Sequence, residues 1–128
     1  MKHIKVVAAI FTDGEKVLAM RRAPHKPLPE KWEFPGGKIE PGESPEQALI
    51  REIKEELDVE IASLELFDHS TTILPSWEVE LSCFKVEADK SPEQSTDHDQ
   101  LIWLEKEKLH TLDWSDSDLP AVEKLQKN

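Results

Sequence analysis

Three features of the sequence predict an α+β fold or an α/β/α sandwich. Strand-type and helix-type segments are interleaved: strands, one central helix, further strands, a final helix. Residues 77–86, WEVELSCFKV, alternate apolar and polar for most of their length, the period of a half-buried strand. Residues 45–57, PEQALIREIKEEL, place Leu49, Ile50, Ile53 and Leu57 within an arc of about 100°, the stripe of a helix that lies on a core. A chain of 128 residues can build one such core, and no stretch reads as a linker, so residues 1–128 are expected to form a single domain.

The elements follow in order. Residues 4–11 (IKVVAAIF) and 16–22 (KVLAMRR) flank TDGE, a hairpin signal. The proline-rich loop APHKPLPEK leads to a short WEF segment and a glycine turn, PGGKIEPGES. The central helix is predicted to start at Ser44, with Pro45 in its first position and Gln47 closing a capping box, and to end near Asp58. Val59 and Ile61 begin another strand. EADKSPEQSTDHDQ reads as a polar loop and LIWL as a buried strand. Residues 116–126 form a last helix, capped by Ser115 or Asp116.

Composition narrows the function. Hydrophobic residues at 38% with 34% charged residues indicate a globular chain, and no apolar run approaches the roughly 18–20 residues of a membrane span. The net charge of -11 argues against non-specific binding to nucleic-acid polymers, which needs basic surface. A phosphorylated small molecule would need cations recruited to it. Cys83 is the only cysteine, so no internal disulfide forms and a cytoplasmic setting is expected. The sequence leaves open a monomer or a homodimer.

Charge is crowded onto the central helix. Seven carboxylates lie between Glu43 and Glu60 against Arg51 and Lys54. Glu52, Glu55 and Glu56 are mutual neighbours at i, i+3 and i+4, and Glu56 lies only about 20° from Leu49, at the edge of the apolar stripe. Such clustering raises carboxylate pKa values unless a cation is present, and oxygen-only ligands suit Mg²⁺ or Mn²⁺. The turn before the helix meets the spacing of a phosphate-binding loop at Gly37, Gly42 and Ser44. Glu43, however, stands where that loop needs its lysine, so this reading fails.

Gly37, Glu43 and REIKEELDV at 51–59 match another pattern, G-x5-E-x7-R-E-U-x-E-E-x-G-U, with U bulky and aliphatic. The chain thereby resembles the Nudix hydrolases, and most closely their MutT-like branch. Gly37, Glu43, Arg51, Glu52, Ile53, Glu55, Glu56 and Val59 agree with it; Asp58 replaces the glycine that closes the helix. Asp is among the few other residues that visit the left-handed region, so the departure is expected to cost little. The resemblance implies a Nudix-type α/β/α sandwich around a mixed β-sheet, and Mg²⁺-dependent (Mn²⁺ may substitute) conversion of a nucleoside triphosphate to the monophosphate and diphosphate.

Site roles follow from the resemblance alone. Glu52, Glu55 and Glu56, with the Gly36 carbonyl, would hold metal. Glu52 would take the proton of the attacking water, with Glu55 as the alternative base, while Arg51 orients a glutamate and Glu43 braces the turn. Asp97, six positions before Trp103, would add a further acid. Arg22, Gly37 and Lys38 would meet the phosphates, and Phe34, Trp77 and Asp118 the base. The expected substrate is 8-oxo-dGTP or (d)CTP. Alternatives are another nucleoside diphosphate derivative, such as a nucleotide sugar or dinucleoside polyphosphate, and a non-catalytic sensing domain.

Overall fold

A computed structural model describes residues 2–127. Strands β1 (Lys2–Asp13) and β2 (Lys16–Arg22) form the expected hairpin, and its turn uses Gly14 at φ +62°. Short strands β3 (Trp32–Glu33) and β4 (Gly36–Lys38) precede helix α1 (Pro45–Leu57). Then come β5 (Ile61–Ile73), β6 (Trp77–Ala88) and β7 (His98–Glu105). Two 3₁₀ segments, Lys106–Thr111 and Asp116–Asp118, lead to helix α2 (Leu119–Lys127).

The strands order as β3-β2-β1-β6-β5, with β4 added to β1 and β7 to β2. β1 runs parallel to β6 and antiparallel to β2 and β4, so the sheet is mixed as expected. Alternation along β1 divides the core. Val7, Ala9 and Phe11 join Leu49, Ile53 and Leu57 beneath α1, whereas Ala8 and Ile10 join Leu109, Trp114, Val122 and Leu125 beneath α2. Each fully buried Leu or Ile contributes about 1.5–3 kcal/mol of transfer free energy, which fixes α1 on its face.

Three expectations are corrected. Ile50 is 43% exposed, because α1 beds on the sheet through Ala48, Leu49, Ile53, Glu56 and Leu57. The buried arc is therefore rotated toward Glu56 and away from Ile50. The polar loop is shorter than predicted, since β6 continues to Ala88 and β7 begins at His98. The last helix starts at Leu119, after the 3₁₀ turn at 116–118, and Ser115 makes no side-chain cap bond. Cys83 is buried and unpaired, and burial pushes its thiol pKa well up, as suits a packing role.

Candidate active site

The glycines bring the turn against the sheet. β4 pairs with β1 so closely that a methyl group at Gly36 would run into the Val7 carbonyl, and one at Gly37 into the Glu52 carboxylate. Helix α1 then starts as a full capping box. The Ser44 side chain accepts from Gln47 N at 3.1 Å, and the Gln47 side chain accepts from Ser44 N at 2.9 Å. It ends on Asp58 at φ 55°, ψ 43°, with Lys54 reaching the Asp58 carboxylate at 2.9 Å. The left-handed cap that the sequence implied is present.

Arg51 anchors the acidic face. Its Nε and Nη2 donate to both oxygens of Glu43 at 2.7 and 2.9 Å, Nη1 donates to Glu52 at 2.9 Å and Glu55 at 3.2 Å, and Nη2 also reaches the Lys38 carbonyl at 3.1 Å. Glu43 Oε1 accepts from Glu40 N as well, at 3.0 Å. The Arg51 guanidinium, aided by that backbone bond, holds the Glu43 carboxyl down at about 2. Arg51 thus orients three glutamates and ties the turn to the helix.

Glu56 is different. It is 7% exposed, and burial first, then its bond to Asp97 and the charges of Asp97, Glu52 and Glu33, push its carboxyl up to about 10. Asp97 is shifted down by the same bond, so the pair favours a proton on the Glu56 side. Glu56 Oε2 is buried with no hydrogen-bond partner. An orphaned buried oxygen costs roughly 1–3 kcal/mol, which a cation bound by oxygens would recover. Glu52 lies beside the pair, its own carboxyl raised by burial against the opposing pull of Arg51. The donor set and the orphaned oxygen fit a hard divalent cation. Among the described residues no three such side chains already converge on one point, because Arg51 engages Glu52 and Glu55.

Beside this rim runs a second network that the sequence did not reveal. Arg22 Nη1 donates to both Glu33 oxygens at 3.1 and 3.0 Å, and Arg22 Nε to the Pro27 carbonyl at 2.6 Å. His98, its side chain wholly buried, joins Glu33 Oε2 to Ser95 Oγ at 2.8 and 2.7 Å. Lys26 Nζ stands 3.6 Å from Asp97. Glu33 and His98 are 65 positions apart, and no spacing signal connects them.

The structure separates the expected base-side residues. Asp118 is 5% exposed, and its Oδ2 accepts from Phe34 N at 3.0 Å. Burial, and then the Glu33 charge, raise its carboxyl to about 8. The Phe34 ring packs in the core, 4.8 Å from Trp114, so Phe34 offers Asp118 its backbone and lines no open surface. Trp77 stands apart, opposite Lys2 in the β1–β6 ladder, with that ammonium 5.3 Å from its ring centroid. Lys38 is exposed at the end of β4. Arg21, half-buried, pairs with Asp99 at 2.8–2.9 Å, while Arg22 turns toward Glu33.

Comparison with known proteins agrees with this geometry. The NUDIX domain family matches residues 1–125. The CTP pyrophosphohydrolase of Escherichia coli K12 is 33% identical over 123 residues, 96% of this chain and 91% of that protein. The 8-oxo-dGTP diphosphatase of the same organism is 29% identical over 128 residues, covering 99% of each chain. The solution structure of the E. coli ORF135 protein superposes with a TM-score of 0.85 at 32% identity, over 99% of this chain and 91% of that one. No described helix is long and apolar enough to cross a membrane. A glycine turn locked against the sheet, an arginine-laced row of glutamates and a match along nearly the whole chain lead to one conclusion: this protein belongs to the Nudix hydrolase family.

Proposed function

We propose that this hydrolase is a Mg²⁺-dependent, MutT-like pyrophosphohydrolase that converts a nucleoside triphosphate and water to the monophosphate and diphosphate. The observation that carries the reading is the buried Glu56 carboxyl, one oxygen without a partner, held against Asp97 and next to Glu52. Glu52, Glu55, Glu56, Asp97 and the Gly36 carbonyl are the ligand set, with Mn²⁺ able to substitute. Bound there, Mg²⁺ would neutralise the polyphosphate and lower the pKa of a coordinated water.

The chain's own groups supply the rest. Glu52 takes the proton of the attacking water, and Gly37 leaves the room its carboxylate needs. Glu55 is the alternative base. Arg51 positions both through Nη1. Arg22 and Lys38 meet the phosphates, and Arg22 would exchange part of its bond to Glu33 for that contact. Asp118 reads the base from its buried place beside Phe34, with Trp77 as a further, outlying candidate. Near neutral pH the raised Asp118 carboxyl can donate as well as accept a hydrogen bond, unlike an ordinary aspartate.

The named relatives favour 8-oxo-dGTP or (d)CTP as substrate. The reading includes a cytoplasmic role in keeping altered nucleotides out of DNA. Initial rates on CTP, dCTP, 5-methyl-dCTP, dGTP and 8-oxo-dGTP test it. One of these should exceed unmodified dGTP in kcat/KM by at least tenfold, with diphosphate released. A nucleotide sugar or dinucleoside polyphosphate cleaved far faster would overturn the assignment, and so would nucleotide binding without any diphosphate release.

A further inference from the structure

The loop that ends β6 and opens β7 must deliver a short side chain to a fixed point. Asp97 has one methylene fewer than a glutamate, so its backbone has to come close to α1. Two backbone bonds help: Thr96 N donates to the Glu56 carbonyl at 3.1 Å, and Ala23 N donates to the Asp97 carbonyl at 3.0 Å. Neither touches the Asp97 carboxylate, which Thr96 Oγ1 meets at 3.3 Å and Lys26 Nζ at 3.6 Å. Asp97 N is turned instead by Ser95 Oγ, which accepts from it at 3.2 Å and meets His98 Nδ1 at 2.7 Å.

The ladder between β2 and β7 explains why His98 points inward. Arg21 faces Gln100 and Arg22 faces His98, so the register slips at Asp99. This bulge leaves Asp99 and Gln100 both exposed, frees Asp99 to pair with Arg21 outside, and drives the His98 ring under the loop. There the ring is fixed at both ends. Glu33, paired with Arg22, can only accept, so Nε2 donates to it, while Nδ1 meets Ser95 Oγ, which also takes the Asp97 N–H. Glu33 is held in turn by Arg22 through both oxygens.

We infer that His98 is a positioning residue: braced on the Arg22–Glu33 pair, it fixes Ser95 and thereby sets the Asp97 carboxylate against Glu56. This rests on Asp97 belonging to the metal-side carboxylates. The chain Arg22–Glu33–His98–Ser95–Asp97 also joins the phosphate-side arginine to the cation-side acid, so the two halves of the site are built as one piece.

Mn²⁺ binding in the absence of nucleotide tests the inference, followed by the EPR signal of the free ion, with metal-free melting as the folding control. Ser95→Ala and His98→Gln should each weaken Mn²⁺ binding about tenfold, the lower end of the effect of partners that orient metal ligands. Ser95→Thr, which keeps the hydroxyl, should restore the affinity. Asp99→Asn, whose side chain pairs with Arg21 on the outer face of the bulge, should leave it unchanged. A purely structural His98 would lower the melting temperature while Mn²⁺ affinity stayed at the wild-type value in both Ser95→Ala and His98→Gln; that result overturns the inference. Asp97→Asn separates the two levels. If it weakens Mn²⁺ binding and the other two do not, only the positioning role fails. If Asp97→Asn itself has no effect, the assignment of Asp97 to the site fails and the positioning role with it.

Discussion

Glu43 and Glu56 stand thirteen positions apart beside one glycine turn, and their carboxyls lie at opposite ends of the titration scale, about 2 against about 10. Glu43 has Arg51 on both oxygens and a backbone N–H as well. Glu56 is buried, faces other acids, and keeps one oxygen without a partner. Paired charge fastens the turn to the helix. Glu56 instead is buried without a countercharge. The same residue type is therefore charge-paired at one position and, at the other, buried against acids with one oxygen left open.

The largest effect expected from breaking this contrast is on chemistry. Glu52→Gln should lower kcat by about 10²–10⁴ with KM changed only a few-fold, as expected for a lost general base. Steady-state kinetics with saturating Mg²⁺ checks this, and equal falls in kcat for Glu55→Gln alone would transfer the role. Next comes Glu56→Gln. Glutamine mimics the protonated carboxyl, so the metal-free melting temperature should hold or rise, while Mg²⁺ affinity drops by at least tenfold in calorimetry.

Glu43→Gln should behave in the opposite way. It leaves Arg51 short of a partner, so the melting temperature should fall by a few degrees in thermal denaturation while Mg²⁺ affinity changes little. The two carboxyls also divide the pH dependence. Glu56 is raised from 4.5, so the stability its bound proton contributes is present below pH 4.5 and is lost as pH rises toward about 10; Asp118, raised from 3.8, loses its share toward about 8. Glu43 is lowered, so its contribution is present above pH 4.5 and is lost as pH falls toward about 2. Melting without metal should therefore decline on the alkaline side in the wild type and less so in Glu56→Gln, and Mg²⁺ should restore the alkaline loss.

The smallest effect belongs to the helix end. Asp58→Gly relieves a non-glycine residue at φ 55° but forfeits the Lys54 contact, so the melting temperature should rise by only about 1–2 °C with kcat unchanged.

What the sequence disclosed was local. The capping box, the hairpin glycine, the left-handed Asp58 and an Arg51 bond to a glutamate all lie within eight positions along the chain, where helix and turn geometry fixes distances; that Arg51 holds Glu43, Glu52 and Glu55 together was not legible. Ile50 was misassigned because periodicity finds an apolar stripe without saying which edge the sheet covers. Here the sheet covers the Glu56 edge. The bonds of Glu33 to His98 and of Asp118 to Phe34 span 65 and 84 positions, and they depend on a bulge and a 3₁₀ turn that carry no compositional mark. The row of glutamates on one helix face was thus readable from spacing, and the Arg22–Glu33–His98 network behind it was not.

One measurement goes to the centre of the account: a ¹³C carboxyl titration of Glu56 by NMR, without metal and at saturating Mg²⁺. The account predicts a carboxyl still protonated at pH 8 without metal and ionised at pH 7 once Mg²⁺ is bound, with close to one proton released per bound complex. A Glu56 carboxyl already ionised at pH 6 without metal, and indifferent to Mg²⁺, would contradict it.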